Sequence, residues 1–357
     1  MKFVMLTEEE FEKASLVLPC SNFEQSVKWG ELEEKNGFIS HLLGVKEKNK
    51  VVAACLLLEK KELKKWSVFY SPNGYLIDYY DEKLLSFFTE EIKNFAKERK
   101  GIFVRIEPYC SENNSILESL KSLGYANLNQ KHIAFTLDLD GKDENELLDT
   151  IDVKAKDIIK NNEKYNIETR EINEEELPMF KNIINSAFLE RKIAKSFEDY
   201  KSIVEKLKDN SKIYIAELNI DGLIQKLKEK IAESNDEDKE LKKELEERII
   251  HYKKIADSDG RRIVLGGIIF VVYNKDITVL FSGSYDKYEE FSPLYTLYWE
   301  LIKYALNNGY TKCSFRDISE ELKKGLKVNV TEYAGKFDLV INKTMYLLSK
   351  GFKICKK

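Results

Sequence analysis

The chain has 357 residues, 43% of them hydrophobic and 34% charged, with a formal net charge of −4. Its length predicts about two or three domains, and its mild acidity excludes a histone-like polycation while leaving room for a local basic groove. The cysteines Cys20, Cys55, Cys110, Cys313 and Cys355 show no CxxC spacing, so neither a metal site nor a disulfide framework is expected.

The opening MKFVMLTEEEFEK lacks the apolar stretch of a signal peptide, and no run approaches the ~18 apolar residues of a membrane span. A reducing, cytoplasmic setting is the expectation.

In chain order, Phe3 to Leu18 reads as a strand and a short helix. NFEQSVKWGELEEKNGF starts a helix near Ser26, with Phe23, Val27, Trp29 and Leu32 as its apolar residues. ISHLLGVKEKNKVVAACLLLEKKEL alternates as two strands around a charged turn. From Ser67 to Leu139 come the strand and turn SVFYSPNGYLID, the helix EKLLSFFTEEIKNFAKERKG, the strand IFVRIEP, the helix SILESLKSLGY and the strand HIAFTLDL. That last strand is read as closing a first domain, residues 1–145.

A long helix is read in ENELLDTIDVKAKDIIKNNEKYNIETREI, where Lys154, Lys156, Lys160 and Lys164 recur at spacings of two to four. Such a run is either a solvated face or a set of phosphate contacts. Helices in EEELPMFKNIINSAFLERK and SFEDYKSIVEKLKDN lead to the strand KIYIAELNI. The composition then changes. Leu223, Leu227 and Ile231, and after a polar turn Leu241, Leu245, Ile249 and Tyr252, form two narrow apolar stripes. They predict an antiparallel helical hairpin over residues 220–258. Because the strand IVLGGIIFVVY resumes afterwards, the hairpin reads as an insertion in a second domain, residues 146–357.

The stretch Ile277 to Asn342 repeats the pattern of Ser67 to Leu139: strand, turn-rich loop, amphipathic helix ending at Gly309, then a strand carrying Arg316 and Asp317 where the first copy has Arg105 and Glu107. Two related α/β domains follow. No GxGxxG follows a strand and no phosphate-binding GxxxxGK[ST] occurs; RRIVLGG enters a strand, whereas a pyrophosphate needs a helix N-terminus. His41, His132 and His251 are scattered, so no Ser-His-Asp or Cys-His arrangement is indicated. What remains are carboxylates near strand ends (Glu107, Asp317, Glu332) as proton acceptors, and Lys323, Lys324 and Lys327 as anion holders.

Several segments, in this order, resemble the Fem family of peptidoglycan-bridge transferases. NFEQSVKWG is similar to its Phe-x-Gln-Ser-x-x-Trp-Gly opening, and YSPNGYLID and FVRIEP to its first-domain strands. KAKDIIKNNEKYNI resembles its Lys-x-Arg-x-x-Ile helix, with Lys156 in the Arg position, and FSGSYDKYEEF and LKKGLKVNVTEYAGKFDLVIN its later signatures. The resemblance implies two GNAT-like acyltransferase domains in tandem, with the hairpin as an antiparallel coiled-coil arm. It also implies transfer of a small amino acid such as Gly, Ala or Ser from aminoacyl-tRNA to the stem-peptide amine of a peptidoglycan precursor, lipid-linked or UDP-MurNAc-linked. No cofactor, metal or DNA is implied. Peripheral contact with the inner face of the plasma membrane and a homodimer are both compatible with it.

Carried over residue by residue, the family's Phe-Lys-x-Gly-Phe matches LKKGL, making Lys323 the group that stabilises the anionic intermediate or leaving oxygen, with Lys324 as fallback. Arg191 matches the precursor-binding Arg. Lys195 stands where some members have an aromatic, and Glu33 where a Lys is usual, with Lys35 two positions on. Glu107 matches an acidic position that orients or deprotonates the amine, and Phe281 and Tyr285 line a precursor pocket or the core. The tRNA path is expected along Lys154, Lys156, Lys160, Arg261, Arg262, Lys324 and Lys327. An acyl-CoA-dependent N-acyltransferase of the same fold and a non-catalytic coiled-coil interaction protein are the alternatives.

Overall fold

The chain divides into two units, Met1–Ala134 with Val330–Lys357, and Phe135–Asn329. The structure, a computed structural model, describes residues 1–62, 65–162, 165–188, 197–207, 210–235, 238–316 and 318–349. The first unit begins with β1 (Lys2–Met5), α1 (Glu8–Ser15), α2 (Val27–Lys35), β2 (Ile39–Glu47), β3 (Lys50–Glu62) and β4 (Trp66–Ser71). It continues with α3 (Glu82–Glu98), β5 (Gly101–Ile106), α4 (Asn114–Ser122) and β6 (Tyr125–Asn127). β7 (His132–Asp138) carries the chain into the second unit. There follow α5 (Glu144–Thr150), α6 (Val153–Asn162), β8 (Ile167–Glu171), α7 (Leu177–Phe188), α8 (Phe197–Lys206) and β9 (Ser211–Asn219). Next come α9 (Ile220–Glu233), α10 (Lys239–Asp259), β10 (Arg262–Tyr273), β11 (Asp276–Ser284), α11 (Pro293–Asn307), β12 (Lys312–Phe315) and α12 (Glu320–Gly325). β13 (Asn329–Tyr333) returns the chain to the first unit, where β14 (Phe337–Val340) and α13 (Lys343–Ser349) follow.

One sheet has the order β1-β2-β3-β4-β5-β14-β6 and the other β13-β7-β12-β11-β10-β9-β8. Read by element, the plan occurs twice. Three antiparallel strands come first, with two helices between the first and second. A parallel pair bridged by an amphipathic helix follows: β4-α3-β5 in the first unit, β11-α11-β12 in the second. The second copy differs by the helices α9 and α10, which replace the tight β2–β3 turn between neighbouring strands β9 and β10.

Two strands do not fall where their place in the sequence suggests. HIAFTLDL was expected to close the first domain, yet β7 pairs with β12, from Lys312↔Asp138 to Phe315↔Phe135. The expected second domain ran unbroken from 146 to 357, yet β14 lies between β5 and β6, with Phe337 opposite both Ile106 and Asn127. The cause is physical. Phe337 and Leu339 are buried among Val104, Ile106, Tyr125 and Phe88 in the first core. On the other face of β14, Asp338 is fully buried and accepts from Arg105 Nε at 2.8 Å and Nη2 at 2.9 Å, and from Tyr346 Oη at 2.8 Å. A forked guanidinium–carboxylate pair withdrawn from water tolerates one geometry, so it fixes the register of β14 on β5.

The single helix expected after Glu144 is also broken, into α5, α6 and the strand β8. Asp143 and Glu146 cap α5 reciprocally, Ile151 is extended, and Asp152 accepts from the Lys154 N–H to start α6 afresh. The Phe-x-Gln-Ser opening proves to be a brace. Buried Gln25 donates to Ser71 Oγ and the Pro72 carbonyl and accepts from the Leu56 N–H at 2.8 Å, tying β3 to the turn after β4. Ser26 caps α2 by accepting from the Trp29 N–H.

At the base of α9 and α10, Leu223, Ile224, Leu227, Leu245, Ile249 and Tyr252 form one cluster with Leu218 and Ile263 of the flanking strands. Leu241, further out, is 46% exposed. The inserted helices are therefore rooted in the second unit's own sheet.

Removing one partner of the buried pair strands the other. Asp338→Ala should destabilise the protein by about 3–5 kcal/mol, read as a lower urea midpoint. The double variant Arg105→Met/Asp338→Leu should recover much of that loss, and a midpoint unchanged in Asp338→Ala would refute the clamp.

Candidate functional site

In a sheet with a parallel pair, the loops beyond the carboxyl ends of those strands are where backbone groups are free to meet a ligand. In the second unit this place lies beyond β11 and β12. β11 ends at Ser284, and the chain turns through Ser292, whose φ of 44° is left-handed, into Pro293 at the first turn of α11. β12 leads to α12, where Ser319 Oγ accepts from the Leu322 N–H. Between them lies a cavity of about 170 Å³, lined by Ser284, Glu289, Ser292, Tyr295, Ser319 and Glu321 among others. That is smaller than the roughly 300–1,000 Å³ of a drug-sized site, so it suits a group of a few atoms. Hydroxyls and two carboxylates dominate the wall, which favours an ammonium or hydroxyl and disfavours a phosphate.

Tyr295 donates to the Glu321 carbonyl at 3.3 Å. Burial, together with the carboxylates of Glu321 and Asp152, pushes its hydroxyl up to about 12. Its ring also explains Gly325: a Cβ there would stand 2.4 Å from Tyr295 Oη. Gly325 in turn receives the Asp152 N–H on its carbonyl at 2.8 Å, which ties the end of α12 to the start of α6.

Lys323 lies on α12 one residue past Leu322, which lines the cavity. Its side chain is 17% exposed and its Nζ is pinned between Glu320 Oε1 at 2.7 Å and the ring of Phe135, 3.6 Å from the centroid. Phe135 belongs to β7, so the strand that joins β12 supplies the platform for this ammonium. Lys324 and Lys327 are exposed nearby in sequence. Lys154 is 3.8 Å from Glu321, and Lys156 pairs with Asp149. The structure thus gathers the α6 and α12 lysines, with exposed Lys160 on the same helix. Arg261 and Arg262 stand instead at the root of α9 and α10, 2.6 Å from Asp221 and 3.3 Å from Glu168.

Glu107 occupies the matching place in the first unit, directly after β5. It is buried, accepts from Tyr70 Oη at 3.0 Å and lies 3.1 Å from Lys336 Nζ. Glu332, by contrast, is exposed and paired with Lys131. Lys35 is exposed in the last turn of α2. Phe281 is half-buried on β11, opposite Ile269. Tyr285 packs into the cluster under α9 and α10, its ring 6.3 Å from that of Tyr288. Arg191, Lys195 and Asp317 lie outside the described residues. No group of three or more potential metal ligands occurs among the described residues.

The cavity residues themselves were not singled out from sequence. The signal was the Ser292-Pro293 pair opening a helix after a strand end, read as a turn and helix start.

A raised tyrosine pKa means that the folded state holds the Tyr295 proton more tightly than the unfolded chain, whose ordinary value is 10.0. The resulting stability is complete below that value and is lost as pH rises from it toward about 12. The stability gap between wild type and Tyr295→Phe should therefore narrow across that window in thermal melts. A gap that widens would contradict the assigned environment.

The FemAB family model matches residues 6–354. Aminoacyltransferase FemA of Staphylococcus aureus (strain bovine RF122 / ET3-1) is 26% identical, over 99% of this chain and 98% of that protein; FemA of strain N315 matches equally. The crystal structure of FemX superposes with a TM-score of 0.83 at 19% identity, covering 98% of this chain and 99% of that one. A tandem GNAT protein from the clavulanic acid biosynthesis pathway superposes at 0.53 with 10% identity, covering 96% and 98%. The twice-used plan is thus a pair of GNAT-like units in tandem, and the chain belongs to the FemAB family.

Proposed function

We propose that the protein is an aminoacyltransferase that moves a small amino acid from aminoacyl-tRNA to the stem-peptide amine of a peptidoglycan precursor, building the interpeptide bridge. One observation carries the site assignment. Lys323 is held by Glu320 and Phe135 beside a cavity of about 170 Å³ whose wall is hydroxyl-rich and acidic. In this reading the cavity takes the aminoacyl group, with Glu289 or Glu321 facing its α-ammonium. The acceptor amine attacks the ester carbonyl and gives up one proton as the C–N bond forms, the C–O bond to the ribose breaks, the ribose oxygen takes up a proton and leaves as the hydroxyl, and Lys323 offsets the negative charge that gathers on oxygen in between. A cation fixed in advance at that point stabilises the transition state more than the ground state.

The tRNA end follows the lysines of α6 and α12. Their surface ion pairs are weak in water and open readily to phosphates. Glu107 orients the acceptor amine, which must first displace Lys336 from it. Arg191 and Lys195 contact the precursor, as do Lys35, Phe281 and Tyr285 more peripherally, and Arg261 and Arg262 extend the RNA track toward α9 and α10, the antiparallel coiled-coil arm. An acyl-CoA donor fits less well. Arg261 and Arg262 lead into the strand β10 and not into the helix N-terminus that a pyrophosphate needs, and the acidic wall would repel a pyrophosphate.

Incubation with UDP-linked or lipid-linked precursor and a mixture of charged tRNAs should raise the precursor's mass by one or more small amino acids, and ribonuclease should abolish the gain. Lys323→Ala should lower turnover by about 10²–10³-fold with little change in precursor affinity. Equal turnover would remove Lys323 from the mechanism, and a gain from acyl-CoA alone would replace the donor.

A further inference from the structure

We propose that Lys336 is a built-in competitor for the acceptor. Its ammonium fills the cation site of Glu107 in the resting protein, and a substrate gains that site only by bringing an ammonium of its own. The register of the first sheet sets this up. In the antiparallel pair of β5 and β14, Phe337 stands opposite Ile106 and Asp338 opposite Arg105. One residue further out, the same register sets Lys336 opposite Glu107. Residues two apart on a strand share a face, so two ion pairs cross from β5 to β14 side by side. They are built differently. Arg105 and Asp338 are 5% and 0% exposed and joined by a fork, which resists exchange. The side chains of Lys336 and Glu107 are 20% and 11% exposed and meet at 3.1 Å through one carboxylate oxygen. An ammonium on a flexible stem leaves such a contact without moving the backbone.

The surroundings suit an exchangeable cation. The Lys336 N–H donates to the Gln130 carbonyl at 3.3 Å, and the Lys336 carbonyl accepts from the Leu128 N–H at 2.9 Å. Gly335 before it is left-handed at φ 86°, and a Cβ there would stand 2.5 Å from the Gln130 carbonyl oxygen. The backbone is therefore fixed, and only the Lys336 side chain is left to swing. Glu107 is braced independently, by Tyr70 Oη of β4 at 3.0 Å. Tyr70 and Lys336 both use Oε1, so Oε2 faces neither and can receive an incoming ammonium before Lys336 departs. A carboxylate this buried is costly to leave without a counter-charge. A neutral amine or a hydroxyl cannot replace the lysine there, whereas an alkylammonium can. Acceptor entry is then an exchange of one cation for another, and the internal lysine weakens the apparent affinity by the fraction of time it holds the site.

The inference rests on the aminoacyltransferase reading for the identity of the acceptor, and its test uses n-butylammonium, whose binding does not depend on turnover. Calorimetry on the full chain should find this cation bound about tenfold or more tightly by Lys336→Met than by wild type, because the internal occupant is gone. Lys336→Met/Glu107→Gln should lose that gain, and n-butanol should show none. In transfer assays Lys336→Met should lower the KM for the precursor. Lys336→Arg, whose fork grips a carboxylate in two places, should raise it severalfold, with the KM for aminoacyl-tRNA unmoved in both. Equal butylammonium affinity in wild type and Lys336→Met, or a gain that survives Glu107→Gln, would overturn the proposal. Should Lys336→Met fail to fold, an unchanged precursor KM in Lys336→Arg would overturn it alone. A butylammonium gain without transfer to any precursor would instead sink the catalytic reading and leave the ammonium site standing.

Discussion

The fold rests on one buried contact, the forked pair of Arg105 on β5 with Asp338 on β14. The two residues are 233 positions apart, yet they lie on neighbouring strands of one sheet. Until residue 338 has been made, β5 lacks this neighbour and Arg105 lacks the forked carboxylate of Asp338. The conformational entropy of closing so long a loop must be met before the contact forms. The first unit is therefore completed late. Its helices and outer strands are local, but the strand between β5 and β6 arrives only after the whole second unit has been passed.

The second unit shows the same dependence at the other end of the chain's excursion. β7 enters beside β12 and brings Phe135, on whose face Lys323 rests. That ring, the Glu320 carboxylate and the tie between Asp152 and Gly325 hold α12 and its lysine in one arrangement. The two copies have diverged at equivalent places. Beyond the first parallel pair stands a carboxylate engaged by a tyrosine hydroxyl and an ammonium; beyond the second stand an ammonium on an aromatic ring and a small acidic cavity. One scaffold thus offers complementary chemistry at its two strand ends, with α9 and α10 added only to the second.

Much of this was legible beforehand, and the reasons differ by element. The amphipathic helices and the apolar stripes of α9 and α10 announce themselves because burial on one face imposes a period. The repeat was visible because the order of elements repeats. Strand partners were not, since alternation says that HIAFTLDL is a strand but not which edge it joins, and the short FDLV carried no strand assignment at all. The break between α5 and α6 carries no Gly or Pro and is made by capping at Asp143 and Asp152. Arg105 stood out in the sequence only as the counterpart of Arg316 in the repeat but is the clamp, and Gln25, part of the family-like opening, is a brace. Lys323 was found through resemblance, whereas the cavity beside it depended on geometry that only the folded chain supplies.

The most direct test of the account is native-state hydrogen exchange of the whole protein in graded denaturant, followed at β14, β5 and β12. The backbone amides of Leu339 and Val340 should open together with those of Phe103 and Val104, with the same free energy and the same denaturant slope. Should they open with Cys313 and Phe315 instead, or exchange as an unpaired tail, the seating of β14 in the first sheet would be wrong, and the late closure built on it would fall as well.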